Sequence, residues 1–156
     1  MKLSIALPLC VLMIGSASAA SLADMPNQKP GLWKMTVTSA GMPGGGRSFQ
    51  ICEDAAFIAA SKASAQARLK KDCTSTSSLR KVGETWVSDS DCTISGMHVI
   101  SHTVTTIHGD DLYHTNATST TVKANGSKST DVMTMDNQWL GACKVGQKVG
   151  VPEAGT

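Results

Sequence analysis

The apolar positions of this chain follow three different regimes along its length. The first is nearly continuous: Leu3 to Ile14 is predominantly apolar, behind Lys2 and ahead of the small residues Ala17-Ser18-Ala19. The second is alternation. From Leu32 to Thr38, Trp33, Met35 and Val37 fall on one side and Lys34, Thr36 and Thr38 on the other, the period of a strand with one wet face. The loop Gly41-Met42-Pro43-Gly44-Gly45-Gly46 interrupts it, and Arg47 to Cys52 returns as a second strand. The third is helical. Glu53 to Lys71 contains neither Gly nor Pro and is rich in alanine, with a thin stripe of Phe57, Ile58, Ser61, Ala65 and Leu69. Acidic residues open it, and Arg68, Lys70 and Lys71 close it, in the sense that the helix dipole favours.

Alternation resumes at Cys73. It predicts strands over Cys73 to Val82, Glu84 to Cys92, Met97 to His108, Leu112 to Val122 and Ser127 to Leu140. Gly83, Ser95-Gly96, Gly109-Asp110-Asp111 and Asn125-Gly126 mark the turns between them. The expected fold is mainly β: an antiparallel up-and-down meander of about seven strands, an open sheet or partial barrel, with one α-helix packed against it. Strand parity places Trp33, Trp86, Met133, Met135 and Trp139 in its core.

The opening apolar run changes the setting of everything behind it. A charged start, an apolar stretch and a small-residue motif are the parts of a cleavable secretory signal, with cleavage expected near Ala19 or Ala20. The run is short of the roughly 20 apolar residues that a membrane helix needs. Cys10 follows Leu9 rather than the small residue of a lipoprotein site. The domain organisation read from the chain is a signal over residues 1–20, one disulfide-stapled β-rich domain over 21–145, and a disordered tail over 146–156. The expected address is periplasmic or secreted.

Such an address makes disulfides the default state of Cys52, Cys73, Cys92 and Cys143. Four cysteines allow three connectivities. Closeness in sequence to the helix favours Cys52 with Cys73, clipping its two ends, which leaves Cys92 with Cys143. No CxxC is present, so neither a thioredoxin-type redox centre nor a zinc ribbon is encoded. Aromatics make up only 4% of the chain, so the core is lean and the staples matter more. A net charge of +2 gives no electrostatic case for a nucleic-acid or anionic-membrane partner.

Candidate chemistry is sparse. His98 and His102 share a strand face but lie about 13 Å apart, too far to bind one ion. Met133 and Met135 are soft thioethers on one face that would suit Cu(I), and equally they fill a core beside Trp139. No Gly-x-Ser-x-Gly elbow and no calcium-loop spacing occurs. The reading is therefore a non-enzymatic exported module without cofactor or metal. Its partner is either a small apolar or amphipathic ligand held in a cupped sheet or another envelope protein, with Cu(I) handling a remote alternative.

One set of residues carries a resemblance. Lys29-Pro30-Gly31-Leu32-Trp33, the Met-Pro-Gly-Gly loop, Asp72-Cys73, the mid-chain Cys92 and the ending Trp139-Leu140-Gly141-Ala142-Cys143 resemble the domain of unknown function 3617 family of small exported bacterial proteins. The resemblance implies a periplasmic or secreted β-rich domain with these cysteines as recurring positions, and it implies no activity. Gly31-Leu32-Trp33 is also similar to the Gly-x-Trp signature on the first strand of lipocalins, where the Trp closes one end of a barrel. Two roles for Trp33 stand side by side on that basis, barrel closure over a ligand and simple core packing. In the ligand reading, Trp33, Trp86, Met133, Met135 and Trp139 are the pocket candidates.

Overall fold

The computed structural model describes residues 21–74 and 77–155. The secretory signal expected over residues 1–20 lies outside the described residues. Eight strands form one antiparallel sheet: β1 (Gly31–Ser39), β2 (Gly46–Glu53), β3 (Ser78–Val82), β4 (Thr85–Ile94), β5 (Met97–His108), β6 (Leu112–Val122), β7 (Lys128–Gly141) and β8 (Glu153–Ala154). Between β2 and β3 runs the helix α1 (Ala55–Asp72). The spatial order is β3-β4-β5-β6-β7-β1-β2-β8, so the meander expected from the hairpin signals holds from β3 to β7. The first hairpin departs from it, because β1 pairs with β7 rather than standing at a free edge. The connection through α1 therefore carries the chain from one side of the sheet to the other.

Asp54 caps α1 with a 2.7 Å bond from the Phe57 amide to its carboxylate, and Lys70 and Lys71 occupy the last turn. Only Ile58 of its residues is buried. A helix so poor in large apolar side chains cannot seal against a sheet, and this thinness shapes the site described below.

Both expected disulfides are corrected. Cys52 bonds Cys143 and Cys73 bonds Cys92, with Cα separations of 5.4 and 3.8 Å. The physical reason lies in the helix itself. Its 18 residues rise about 27 Å, which holds Cys52 and Cys73 far apart at opposite ends. Cys92 and Cys143 are separated in turn by the strands β5 and β6 that lie between β4 and β7.

The disordered tail is a second correction. Gly150 donates to the Cys52 carbonyl, Gly155 donates to the Ser48 carbonyl, and Glu153–Ala154 pairs with Phe49 and Gln50 as an added edge strand. Backbone groups of β2 left unpaired by the open sheet supply the template for this pairing.

The register separates two faces. On one, Trp33 stands opposite Ile51 and Trp139, and Tyr113 stands opposite Asn137 and Ile107. Trp33, Ile51, Trp86, Ile107 and Tyr113 form the buried cluster there, with Met25, Met35, Phe57, Leu79 and Trp139 packed around it. Trp33 is wholly buried, and its ring meets that of Tyr113 edge to face at 5.6 Å. The expected core is thus right in Trp33 and Trp86. Met133, Met135 and Trp139 are only half-buried, and Ile107 and Tyr113 take the central places.

Candidate functional site

Ahead of β1, the chain crosses the packed face of the sheet as an extended strap with one turn of 3-10 helix at Leu22–Asp24. Lys62 of α1 holds it. Its Nζ donates to the carbonyls of Ala23 and Met25 and to Asn27 Oδ1 at 3.1, 2.7 and 3.0 Å. Between strap, helix and sheet lies a cleft of about 310 Å³. Ile58, Ser61, Lys62 and Ala65 line its helical side at the i, i+3, i+4, i+7 spacing of one helix face. The small side chains of Ser61 and Ala65 leave the gap unfilled. Thr105, Tyr113, Thr115 and Asn137 line its sheet side, and Leu22 and Met25 give it apolar walls.

Two polar groups in this wall are unusual. Glu53 and Asn137 are 9% and 8% exposed, and Glu53 Oε2 and Asn137 Oδ1 are buried without a hydrogen-bond partner. A buried polar atom left unpaired costs about 1–3 kcal/mol. Desolvation pushes the Glu53 carboxyl above its ordinary value of 4.5. Of the other polar groups of the cleft, Thr105 and Thr115 bond each other at 3.0 Å, and Tyr113 donates to the Asn27 carbonyl at 3.4 Å.

The residues expected to line a pocket are elsewhere. Trp33, Trp86, Met133, Met135 and Trp139 share the packed face of the sheet, and none of them lines this cleft. Trp33 is closed off in the core, its Nε1 donating to the Lys29 carbonyl at 2.8 Å. Trp139 Nε1 donates to the Pro30 carbonyl at 3.1 Å, and Lys29 Nζ sits 3.9 Å above the Trp139 ring while pairing with Asp111 at 2.9 Å. The Lys-Pro-Gly-Leu-Trp run is therefore a structural clasp between β1, β7 and the β5–β6 turn. The sequence pattern puts Glu53 at the opening of the helix, whereas it is the last residue of β2 and α1 begins at Ala55; Asn137 carries no site expectation, although both positions hold a signal. Glu53 has the parity of Phe49 and Ile51, and Asn137 that of Met133, Met135 and Trp139, so each is a polar residue in an apolar register.

The opposite face carries the four histidines. His98, His102 and His114 lie 2.6, 2.6 and 2.5 Å from Asp91, Asp89 and Asp136, and His108 lies 4.0 Å from Glu84. His102 and Arg80 together hold the Asp89 carboxyl below its ordinary range. A shallow depression of about 290 Å³ runs over Asp89, Ile100, His102, Thr118 and Thr120. Its charged groups satisfy one another, which leaves little for a ligand to complete. Met133 and Met135 lie on the packed face by register, away from all four histidines, so the thioether–imidazole grouping for Cu(I) is not assembled. Among the described residues, no three His, Cys, Asp or Glu side chains are grouped to hold a metal.

An open antiparallel sheet with one lightly packed helix, two staples and the Lys-Pro-Gly-Leu-Trp clasp defines the class of protein. The chain belongs to the family described as protein of unknown function (DUF3617), whose model matches residues 28–143. The match spans both disulfides and the clasp, and it ends at Cys143. Neither a curated protein nor a solved structure matches the chain. No helix among the described residues is long and apolar enough to cross a membrane.

Proposed function

We propose that the protein is an exported, non-enzymatic module that holds a small amphipathic ligand between α1, the strap and the sheet. One observation carries this reading: a cleft of about 310 Å³ is walled in part by Glu53 and Asn137, each of which has a buried oxygen without a hydrogen-bond partner. That volume lies at the lower end of small-molecule sites, which span roughly 300–1,000 Å³. A lean domain gains nothing in stability from leaving two acceptors unpaired beside an unfilled cleft, so their retention there favours a role other than packing. Export rests on the signal-like segment of residues 1–20 and agrees with the two disulfides. The rival reading, an envelope interaction protein, calls for a filled interior, and the cleft weighs against it.

Native mass spectrometry of protein purified from its own envelope tests both parts. The expected result is a chain beginning near residue 20 and carrying a small molecule, with that molecule absent when Ala65→Trp fills the cleft. Protein that flies with only solvent in both forms would overturn the binding role, and an intact Met1 terminus would overturn export.

A further inference from the structure

We infer that the outer edge of β2 is a docking strand for an extended segment of another protein, added antiparallel along residues 46–51, and that the chain's own tail is its displaceable occupant. The edge stands apart from the cleft, to which β2 contributes only Glu53.

The tail shows which way the edge faces and how little of it is used. Gly155 donates to the Ser48 carbonyl at 3.2 Å and Gly150 to the Cys52 carbonyl at 2.8 Å. The backbone of the even-numbered residues of β2 therefore points away from β1 and toward any added strand. Pairing with β8 is confined to Phe49 with Ala154 and Gln50 with Glu153. It stops there because the chain turns: Gly150 takes the Cys52 carbonyl, and the Val151 amide donates back to Lys148. Gly150 also pins the root of the tail, since a Cβ there would lie 2.4 Å from the Phe57 ring. Beyond that root, Val151, Pro152, Glu153 and Ala154 are all exposed. A strand this short, with no buried side chain, keeps its place mainly through its tether. A segment that paired the whole of residues 46–51 would make more backbone hydrogen bonds and displace it. The edge also lies within residues 28–143 of the family match, and the tail lies outside it.

The side chains of the edge set the chemistry of the partner, because directly opposite residues of an antiparallel pair share a face. Phe49 and Ile51, on the packed face, call for apolar residues opposite, and Ser48 and Gln50, on the other, for polar ones. Arg47 continues the packed-face row past the reach of β8. It is exposed, without an ion pair among the described residues, and calls for a carboxylate. The fitting segment alternates apolar and polar residues and carries an acid toward its C-terminal end.

The probe is the blocked peptide Val-Thr-Val-Thr-Glu-Thr, whose residues in order would face Ile51, Gln50, Phe49, Ser48, Arg47 and Gly46. Its binding is read by fluorescence anisotropy and by backbone amide shifts of β2 in dilute protein. The chain truncated after Gly150 should bind it about tenfold or more tightly than the full mature chain. Gly155→Pro keeps the tail but removes its donor to Ser48, and should tighten binding about threefold. N-methylating the peptide at the two inner threonines, whose amides face β2, should abolish binding. N-methylating the valine opposite Phe49, whose amide faces away, should cost far less. Arg47→Glu should weaken the peptide about threefold, and a peptide with Lys in place of Glu should recover it. Equal binding to full and truncated chains, or binding that survives N-methylation of the threonines, would overturn strand addition. No binding to either chain or to Gly155→Pro would overturn the docking role. A truncated chain that pairs with its own copies and excludes the peptide would make the edge a self-association surface and overturn the assignment to another protein.

Discussion

Gly31 adopts a φ of 144°, and a Cβ there would lie 2.3 Å from both the Gly141 carbonyl oxygen and Trp139 Nε1. Glycine is required here for conformation and for space, since the clasp brings two backbones and an indole together. Gly31→Ala should lose about 2–4 kcal/mol in urea unfolding, and an unchanged midpoint would show that the clasp yields without cost. Glu53 makes the opposite prediction. Its carboxyl titrates above 4.5 in the folded chain because burial disfavours the charge. The folded state thus holds a proton that the unfolded state releases, and stability declines as pH rises from the unfolded value toward the folded one. Glu53→Gln removes that decline, so its Tm should exceed the parent's near pH 7 and match it near pH 4. Equal Tm differences at both pH values would mean that Glu53 is solvated after all. The letters of the clasp were legible in the sequence, but their purpose was not. Nothing in Lys29 or Trp139 alone discloses that one stacks on the other across 110 positions of chain.

Elements were read more successfully than their partners. Met97–His108 and Leu112–Val122 coincide with the alternating runs and their turn signals, because a strand's face pattern and its hairpin are both local properties. The helix was equally plain from its alanines and its charged ends. What local pattern does not encode is the jump that α1 makes between β2 and β3, and disulfide connectivity follows from that jump. Cys73 lies just past the C-terminus of α1 in an isolated bridge with Cys92, so this staple fastens the end of the crossover to β4. Cys52–Cys143 ties β2 to the segment after β7 across a sequence separation of 91, against 19 for the other. On the loop-entropy account the longer closure contributes about 4.6 kcal/mol and the shorter about 3. Replacing both cysteines of a pair by serine should therefore cost more at 52 and 143 than at 73 and 92. Hydrogen exchange should separate the two further, with loss of Cys73–Cys92 accelerating amides of α1 well before those of β5 and β6. Uniform acceleration across the sheet would contradict a helix held mainly by that staple.

At the scale of the whole molecule, an open sheet must manage two edges, since unpaired strand backbone templates association with another chain. The β3 edge is short, five residues, and carries Arg80 and Lys81. Charged side chains on a brief edge strand discourage pairing. The β2 edge is longer and includes Phe49 and Ile51, and here the chain covers itself. After Cys143 it returns along β2, with Val149 bridging Cys52 and Glu153–Ala154 pairing with Gln50 and Phe49. No alternating pattern announces β8, because an edge strand of two residues is specified by the vacancy beside it rather than by its own sequence. The tail therefore acts as a guard for the edge. Truncation after Gly150 should leave the sheet and both disulfides intact while exposing the Ser48–Gln50 backbone. The truncated protein should self-associate with rising concentration in sedimentation velocity, beyond any association of the intact chain, and a soluble peptide of residues 151–155 should reverse it only weakly because it lacks the tether through Cys143. Identical sedimentation of the two forms across the concentration range would mean that β2 tolerates its open edge, and that the pairing of the tail serves the cleft-bearing fold in some way other than guarding it.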